Sequence, residues 1–466
     1  MSLEELPNGW TETKLGDVIE YGKVSKAEPQ DIQPDTWVLE LEDIEKNSSK
    51  LLGKFYFSDR QSKSTKNRFK KGDVLYGKLR PYLSKIVLAN DDGVCTTEII
   101  PISETDFIKS KYLFYWLKSS NFKEYVDAVS YGVNMPRLGT QDGLNAPLVF
   151  APLAEQQQIA EKLDELLAQV DRLKARLDAI PSILKSFRQS VLAAAVSGGL
   201  TEEWRKNNIC TENDLTQLNV FRGVELTKLP EGWKWVRFDS VAEIASNLKN
   251  PLDTPDAVHI APNHIESNTG RIIELSTIKM DGVTSAKHEF RSGQIIYSKI
   301  RPYLCKVTIV DFNGLCSADM YPINSKINTQ YLFRWMLTPK FTQWASNAES
   351  RSVLPKINQN DLSKIPVPVP SLEEQAEIIR CIEHLFAYAD QIEQRVKDAQ
   401  TRVNSLTQSI LAKAFRGELT AEWREQNPDL ISGENSAAAL LDRIKAERAA
   451  QANAKKPRGK TKAKAS

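Results

Sequence analysis

Residues 153–180 read LAEQQQIAEKLDELLAQVDRLKARLDAI, and the run closes at 198–205 with GGLTEEWR. Apolar side chains fall at Ile159, Leu163, Leu166, Val170, Leu173, Leu177, Ile180, Leu184, Phe187 and Val191, in alternating steps of four and three. That alternation keeps them on one face of a helix, as in the seam of a coiled coil. The stripe returns 219 residues later at Ile378, Ile382, Leu385, Ala389, Ile392, Val396, Ala399, Val403, Leu406 and Ile410. Residues 153–205 and 372–424 align without a gap, 20 of 53 positions are identical, and the second copy ends in GELTAEWR. One helix is used twice, so the spacing predicts a pair that closes within the chain. Pro181 stands inside the first stripe where the second has Gln400. Its missing donor and crowding ring predict a kink or an interruption there.

Working outward, the duplication covers the whole chain. Leu6-Pro7-Asn8-Gly9-Trp10 recurs as Leu229-Pro230-Glu231-Gly232-Trp233, and 13 of 35 positions agree between Arg68–Ile102 and Glu289–Ile323. Tyr112–Trp116 matches Tyr331–Trp335, and Met135–Leu138 matches Leu354–Ile357. A period of about 220 residues means a duplicated domain and not a solenoid. The expected fold is α+β: two tandem strand-rich domains, each followed by a long helix, with the two helices pairing antiparallel about a pseudo-twofold axis. The expected boundaries are 1–152, 153–206, 207–228 (a polar, turn-rich linker), 229–371, 372–426 and 427–466. Short strands are predicted at Asp73–Tyr76, Ile86–Leu88, Gln294–Tyr297 and Val307–Val310, and short aromatic helices at Lys111–Lys118 and Gln330–Leu337. Proline-rich extended segments at 146–152 and 365–370 stop each long helix from running backwards. An alanine-rich helix near Ala437–Ala450 and a lysine tail close the chain.

At 466 residues with 41% hydrophobic and 26% charged residues, the composition is that of a multidomain globular protein. No apolar run of membrane length and no signal-peptide pattern is present, so a cytoplasmic protein is expected. Cys95, Cys210, Cys305, Cys316 and Cys381 show no CxxC spacing, which favours reduced thiols over disulfides or a zinc site. Cys95 and Cys316, equivalent in the two copies, read as buried core thiols. The net charge of +2 hides a tail from Lys445 on, where six lysines and two arginines face one glutamate. Overall charge therefore gives no case for nucleic acid, and local patches must supply it.

The search for catalytic chemistry fails. Gly72–Lys78 fits G-x-x-x-x-G-K, but Leu79 replaces the hydroxyl residue that would hold magnesium, and the segment reads as a strand. His259, His264, His288 and His384 have no metal-ligand spacing, and no nucleophile or cofactor motif occurs. Neither a catalytic residue nor a metal site is expected.

What does repeat is a basic loop. Tyr76-x-Lys78-x-Arg80-Pro81-Tyr82-Leu83-x-Lys85 returns as Tyr297-x-Lys299-x-Arg301-Pro302-Tyr303-Leu304-x-Lys306. Strand alternation places Lys78 and Arg80 on one face, and the proline stiffens the turn. Such cations suit phosphate contact or guanine readout, and the tyrosine can stack or bond a phosphate. Asp59–Lys85 carries nine basic residues against two acidic ones. The bland alternative is a solvated turn, but solvated charges have little reason to recur position for position. Arg137 and Lys356, each just after a proline, join the expected backbone contacts. Residues identical in both copies can do only what both copies do. Base discrimination is therefore expected where the copies diverge: Glu45–Asn67 against Glu266–His288, and Asn121–Asn134 against Lys340–Val353.

A globular module, a heptad helix ending L-T-x-E-W-R, and both again, resembles the specificity subunit of type I restriction-modification systems. The closing Asn427–Leu441 is similar to the tail of the enteric subgroup. The resemblance implies target-recognition domains that each read one half of a bipartite asymmetric site on double-stranded DNA. It implies a helical spacer that docks two adenine methyltransferase subunits, with two ATP-dependent motor/endonuclease subunits completing the complex. No cofactor is then expected on this chain, while S-adenosylmethionine, ATP and magnesium would serve the partners. Each heptad run covers about 48 Å at about 1.5 Å per residue. That bounds the half-site separation at roughly 14 base pairs of about 3.4 Å. The competing reading is a coiled-coil scaffold that binds only proteins.

Overall fold

The computed structural model describes residues 6–132, 134–208, 214–347 and 355–454. Two compact units emerge, and they do not follow the sequence boundaries: one joins Met1–Arg176 to Ala399–Ser466, and the other is Leu177–Asp398. Each long helix, Leu153–Val196 and Leu372–Phe415, is cut near its middle. Each unit therefore holds one globular module, the start of the helix that follows it and the end of the other helix.

In the first unit Val74–Gly77 pairs antiparallel with both Ile86–Leu88 and Ile99–Ile102. A five-stranded sheet runs in the order 26–27, 66–69, 93–95, 37–39, 55–56, with Trp37–Leu39 parallel to Gly93–Cys95. The proline-flanked strand Pro147–Phe150 pairs with Thr11–Lys14 in a two-stranded ribbon. The ribbon leaves room for a proline that cannot donate to a ladder. The second unit repeats this plan, with Ile295–Ser298 between Val307–Ile309 and Met320–Ser325. Its Ala242–Ile244 adds a fourth strand to that sheet. The expected aromatic helices form at Ser110–Leu117 and Thr329–Met336. Tyr112 and Tyr331 donate to Val149 O and Pro368 O at 2.7 and 2.6 Å, fastening each helix to its ribbon.

The helix pairing is antiparallel and is built separately in each unit. In the first, Ile159 and Leu163 are fully buried in the core that holds Leu411, Ala414 and Phe415. Phe415 meets Tyr112 and Trp116 edge-on at 5.5 and 5.0 Å. In the second, Val191, Leu192, Ala195 and Val196 share a core with Ile378, Ile379 and Ile382. Arg188 there crosses to Asp390 and Glu393 at 2.6 and 2.9 Å. Val170 and Val396 are buried, while Leu166, Leu177, Leu385 and Ile392 are half-buried. Leu173 is 46% exposed and does not join the seam in the expected way. The reason is cover: the fully buried helix positions share the core of their unit's globular module, and Leu173 belongs to no such core. Pro181 does not interrupt the first helix, which runs unbroken from Leu153 to Val196. The proline is exposed, so water can satisfy the carbonyl that loses its donor.

The paired junction motifs explain themselves as a clasp. Glu155, fully buried at the start of the first helix, accepts from Trp10 Nε1, Thr420 Oγ1 and Arg424 Nη1, each at 2.6 Å. Glu374 repeats this with Trp233 Nε1 at 2.8 Å, Thr201 Oγ1 at 2.6 Å and Arg205 Nη1 at 2.5 Å. The L-P-x-G-W and L-T-x-E-W-R motifs thus meet on one carboxylate in each unit. A buried carboxylate is tolerated because three donors, one of them charged, replace its lost water.

Part of the expected linker is ordered. Leu215, Leu218 and Phe221 pack on the second unit, and Val220–Phe221 forms a small hairpin with Val224–Glu225. The closing helix is Ala437–Ala454, with Ala437, Leu440, Leu441 and Ile444 in the first unit's core. The lysines from Lys455 on, and Cys210, lie outside the described residues.

Candidate nucleic-acid interface

The repeated basic loop closes the central hairpin of each unit, and both copies adopt the same backbone. Arg80 sits at φ 49°, ψ 58° and Arg301 at φ 46°, ψ 59°, the left-handed region. Pro81–Leu83 and Pro302–Leu304 form one 3₁₀ turn, and Ser84 and Cys305 return to left-handed φ of 46°. A non-glycine residue in that region costs on the order of 1 kcal/mol, so two per loop persist only where the surroundings impose them. They do so by hydrogen bonds on every side. Arg80 N–H donates to Pro136 O at 2.7 Å and Arg301 N–H to Pro355 O at 2.8 Å. Asn47 N–H reaches Leu83 O at 3.0 Å, and Asn268 N–H reaches Cys305 O at 3.1 Å. Lys78 N–H donates to Glu98 O and Lys299 N–H to Asp319 O, both at 2.9 Å.

The rigid loop presents two side chains outward. Arg80 and Arg301 are exposed, and neither guanidinium has a partner among the described residues. Tyr82 and Tyr303 stand beside them, 45% and 52% exposed. In each unit one exposed cation and one exposed aromatic face form an arrangement that can grip a phosphate backbone or stack on a base.

The other expected contacts divide differently. The strand ends at Gly77, so alternation does not carry Lys78 and Arg80 to one face; Lys78 is half-buried. Lys299 packs its ammonium 5.2 Å from the Tyr321 ring centre. Lys85 Nζ donates to Leu41 O at 2.7 Å and Lys306 Nζ to Pro262 O at 2.6 Å. Both amines hold neighbouring turns in place, and burial lowers the Lys306 pKa. Arg137 pairs with Glu98 at 3.1 Å, and Lys356 pairs with Asp319 at 3.3 Å. These positions also bridge to Leu79 and Ile300, so they brace the loop from the side.

The basic stretch 59–85 does not form a single patch. Arg60 is bonded to Glu42 and Asp43, and Lys66 to Glu40. Arg68, Lys70 and Lys71 line a cleft of about 870 Å³ at the opposite end of the Val74–Gly77 strand. Four strand residues separate the two ends by roughly 13 Å. Charge counted along the sequence merged two surfaces that the hairpin holds apart.

Sequence reasoning did not single out Tyr131 and Met135, 60% and 45% exposed, on the turn closed by the Tyr131–Arg137 bridge. Arg137 also bridges to Leu79, so this turn flanks the Arg80 loop. Both residues lie in or beside the segment where the two copies diverge. The signal was there, but exposure is invisible in one sequence.

The remaining expectations concern chemistry. The Gly72–Lys78 segment contains the strand Val74–Gly77, not a phosphate cradle. Cys95 and Cys316 are fully buried, and burial pushes the Cys316 thiol up to about 12 and raises Cys95 as well. His384 is exposed on its helix. His259 and His264, without ligand spacing in the sequence, are brought together with Asp281. No helix among the described residues is long and apolar enough to cross a membrane.

Comparison with known proteins agrees with this architecture. The sequence matches the family described as Type I restriction modification DNA specificity domain over residues 7–182 and 230–400. It is 60% identical over 363 residues to the type I restriction enzyme EcoDI specificity subunit of Escherichia coli, covering 77% of this chain and 81% of that one. It is 39% identical over 372 residues to the EcoKI specificity subunit of Escherichia coli strain K12, covering 76% and 75%. In fold it is similar to the HsdS subunit from Thermoanaerobacter tengcongensis, with TM-score 0.57 and 18% identity over 90% of this chain and 100% of that one. A chain from a study of complex assembly and conformational transition of the type I R-M system gives TM-score 0.64 at 18% identity, over 89% and 99%. Duplicated modules, paired helices and matching sequence place the chain in the type I restriction-modification DNA specificity family, among specificity subunits of the enteric type.

Proposed function

We propose that this chain is the sequence-specific DNA-binding subunit of a type I restriction-modification complex, with each globular module reading one half of a bipartite, asymmetric target. The observation that carries the reading is the duplicated Arg-Pro-Tyr loop. A strained backbone, held by hydrogen bonds to its neighbours, presents Arg80 with Tyr82, and Arg301 with Tyr303, to solvent. Arg80 and Arg301 grip phosphate in both half-sites, and Tyr82 and Tyr303 pack on sugar or base. Lys78, Lys85, Lys299 and Lys306 support the loop from behind, and Arg137 and Lys356 brace its flank. Discrimination between bases lies in the divergent segments, where Tyr131 and Met135 flank the first loop.

The paired helices set the gap between half-sites and dock two methyltransferase subunits, and two motor/endonuclease subunits complete the assembly. Catalysis and its cofactors (S-adenosylmethionine, ATP and magnesium) belong to those partners, in the cytoplasm. This chain binds DNA and partners only.

The test is Arg80→Ala with Arg301→Ala in the complex with the methyltransferase. Losing two phosphate contacts is expected to weaken target binding at least tenfold and to lower the slope of log affinity against log salt by about 1.8. Unchanged affinity and slope would favour the protein-only scaffold. Methylation by the purified chain without a partner would overturn the non-catalytic reading.

A further inference from the structure

The second module contains a buried cluster that the first replaces with a different device. His259 lies in the strand Val258–Ile260, His264 ends the 3₁₀ turn Pro262–His264, and Asp281 ends the short helix Ile278–Asp281. One ligand atom from each lies within 4.8 Å of the others. His259 Nδ1 is 2.5 Å and His264 Nε2 3.8 Å from Asp281 Oδ2, and the histidine rings meet edge-on at 5.8 Å. Ser276 Oγ adds a fourth polar atom, donating to Asp281 Oδ2 at 2.6 Å. The histidine side chains are 3% and 5% exposed, while Asp281 is 24% exposed, which leaves an entrance on the carboxylate side.

In the first module the same backbone positions, 221 residues earlier, hold Val38, Asp43 and Arg60. There the Arg60 guanidinium bonds Asp43 and ties the equivalent helix turn to the equivalent 3₁₀ turn. In the second module the charge order differs: the turn carries a histidine and the helix carries the carboxylate. Two imidazoles and a carboxylate are a ligand set, which an arginine–aspartate pair is not.

We propose that His259, His264 and Asp281 form a structural zinc site in the second module, with the Ser276 hydroxyl or a water as fourth ligand. Ligands about 2.0 Å from a tetrahedral zinc lie about 3.3 Å from one another, between the two separations seen here. His264 Nδ1 accepts from the Ala261 N–H at 3.2 Å and lies 3.2 Å from the His259 carbonyl, and these backbone contacts turn Nε2 towards Asp281. Backbone contacts to the far ring nitrogen orient metal-binding histidines. His259 Nε2 is buried without a hydrogen-bond partner, so nothing on its far side fixes that ring's tautomer. The metal would do for the second module what the Arg60–Asp43 pair does for the first: pin the short helix to the turn behind the basic loop.

The experiment uses the full-length chain, stripped with a chelator and titrated with zinc alone. One zinc per chain at micromolar concentration and a rise in the melting temperature are expected. His264→Gln and Asp281→Asn are each expected to weaken uptake at least tenfold, while Asp43→Asn in the first module leaves it unchanged. Cobalt substitution of the wild-type chain keeps the idea testable should either variant fail to fold. A tetrahedral cobalt spectrum without a thiolate charge-transfer band supports this site. A thiolate band, no stoichiometric uptake, or unchanged uptake in both variants overturns it.

Discussion

Glu155 and Glu374 show how much a single position can organise. Each is a buried carboxylate whose three donors come from two separate stretches: Trp10 with Thr420 and Arg424 for one, Trp233 with Thr201 and Arg205 for the other. In the first unit those stretches are about 410 residues apart in sequence, so this carboxylate fastens the segment before the first strand to the segment that follows the second long helix. Removing one partner of a buried ion pair leaves the other charge uncompensated, at a cost of about 3–5 kcal/mol. Arg424→Met is therefore expected to destabilise the first unit by that amount, and calorimetry should show an earlier transition for it. Arg205→Met is expected to do the same to the second unit. A melting profile unchanged in both variants would mean that the carboxylates do not depend on their arginines.

The two long helices carry the same heptad stripe, yet their positions are unequal in energy. Ile159, Leu163, Ile378 and Ile382 are fully buried, because a globular module covers them as well as the other helix. Leu173 and Leu406 are 46% and 38% exposed. Truncating a fully buried leucine costs about 2–5 kcal/mol, whereas a half-exposed one leaves no cavity. Leu163→Ala is expected to lower stability in that range and Leu173→Ala by less than about 1 kcal/mol, measured by chemical denaturation of the full chain. Equal losses would show a seam packed evenly along its length. The heptad spacing made helix and seam direction legible, but not this gradient, since periodicity marks a face and not what covers it. The interruption expected as one outcome at Pro181 did not form for a related reason: an exposed proline inside a 44-residue helix removes one hydrogen bond among many.

For the whole molecule, the proposed role of the helices as a ruler has a direct consequence. One heptad adds about 10.5 Å of helix, on the order of three base pairs. Inserting seven residues in register into one long helix is expected to change the preferred gap between half-sites, read by methylome sequencing of a host carrying the variant and its methyltransferase. An unchanged gap would show that the helices do not measure it. The sequence by itself determined the duplication, the two heptad helices, the central hairpins and the Arg-Pro-Tyr loops. Those features are local or repeated, and a repeat acts as an internal comparison that separates shared scaffold from divergent surface. Only the tertiary structure decided that each unit borrows half a helix from the other repeat, and that Lys85 and Lys306 are held by carbonyls while Arg80 and Arg301 face solvent. It also brought His259, His264 and Asp281 to one point. Partner choice for a side chain depends on which distant backbone lies within about 3 Å of it, and that distance exists only after the chain has closed on itself.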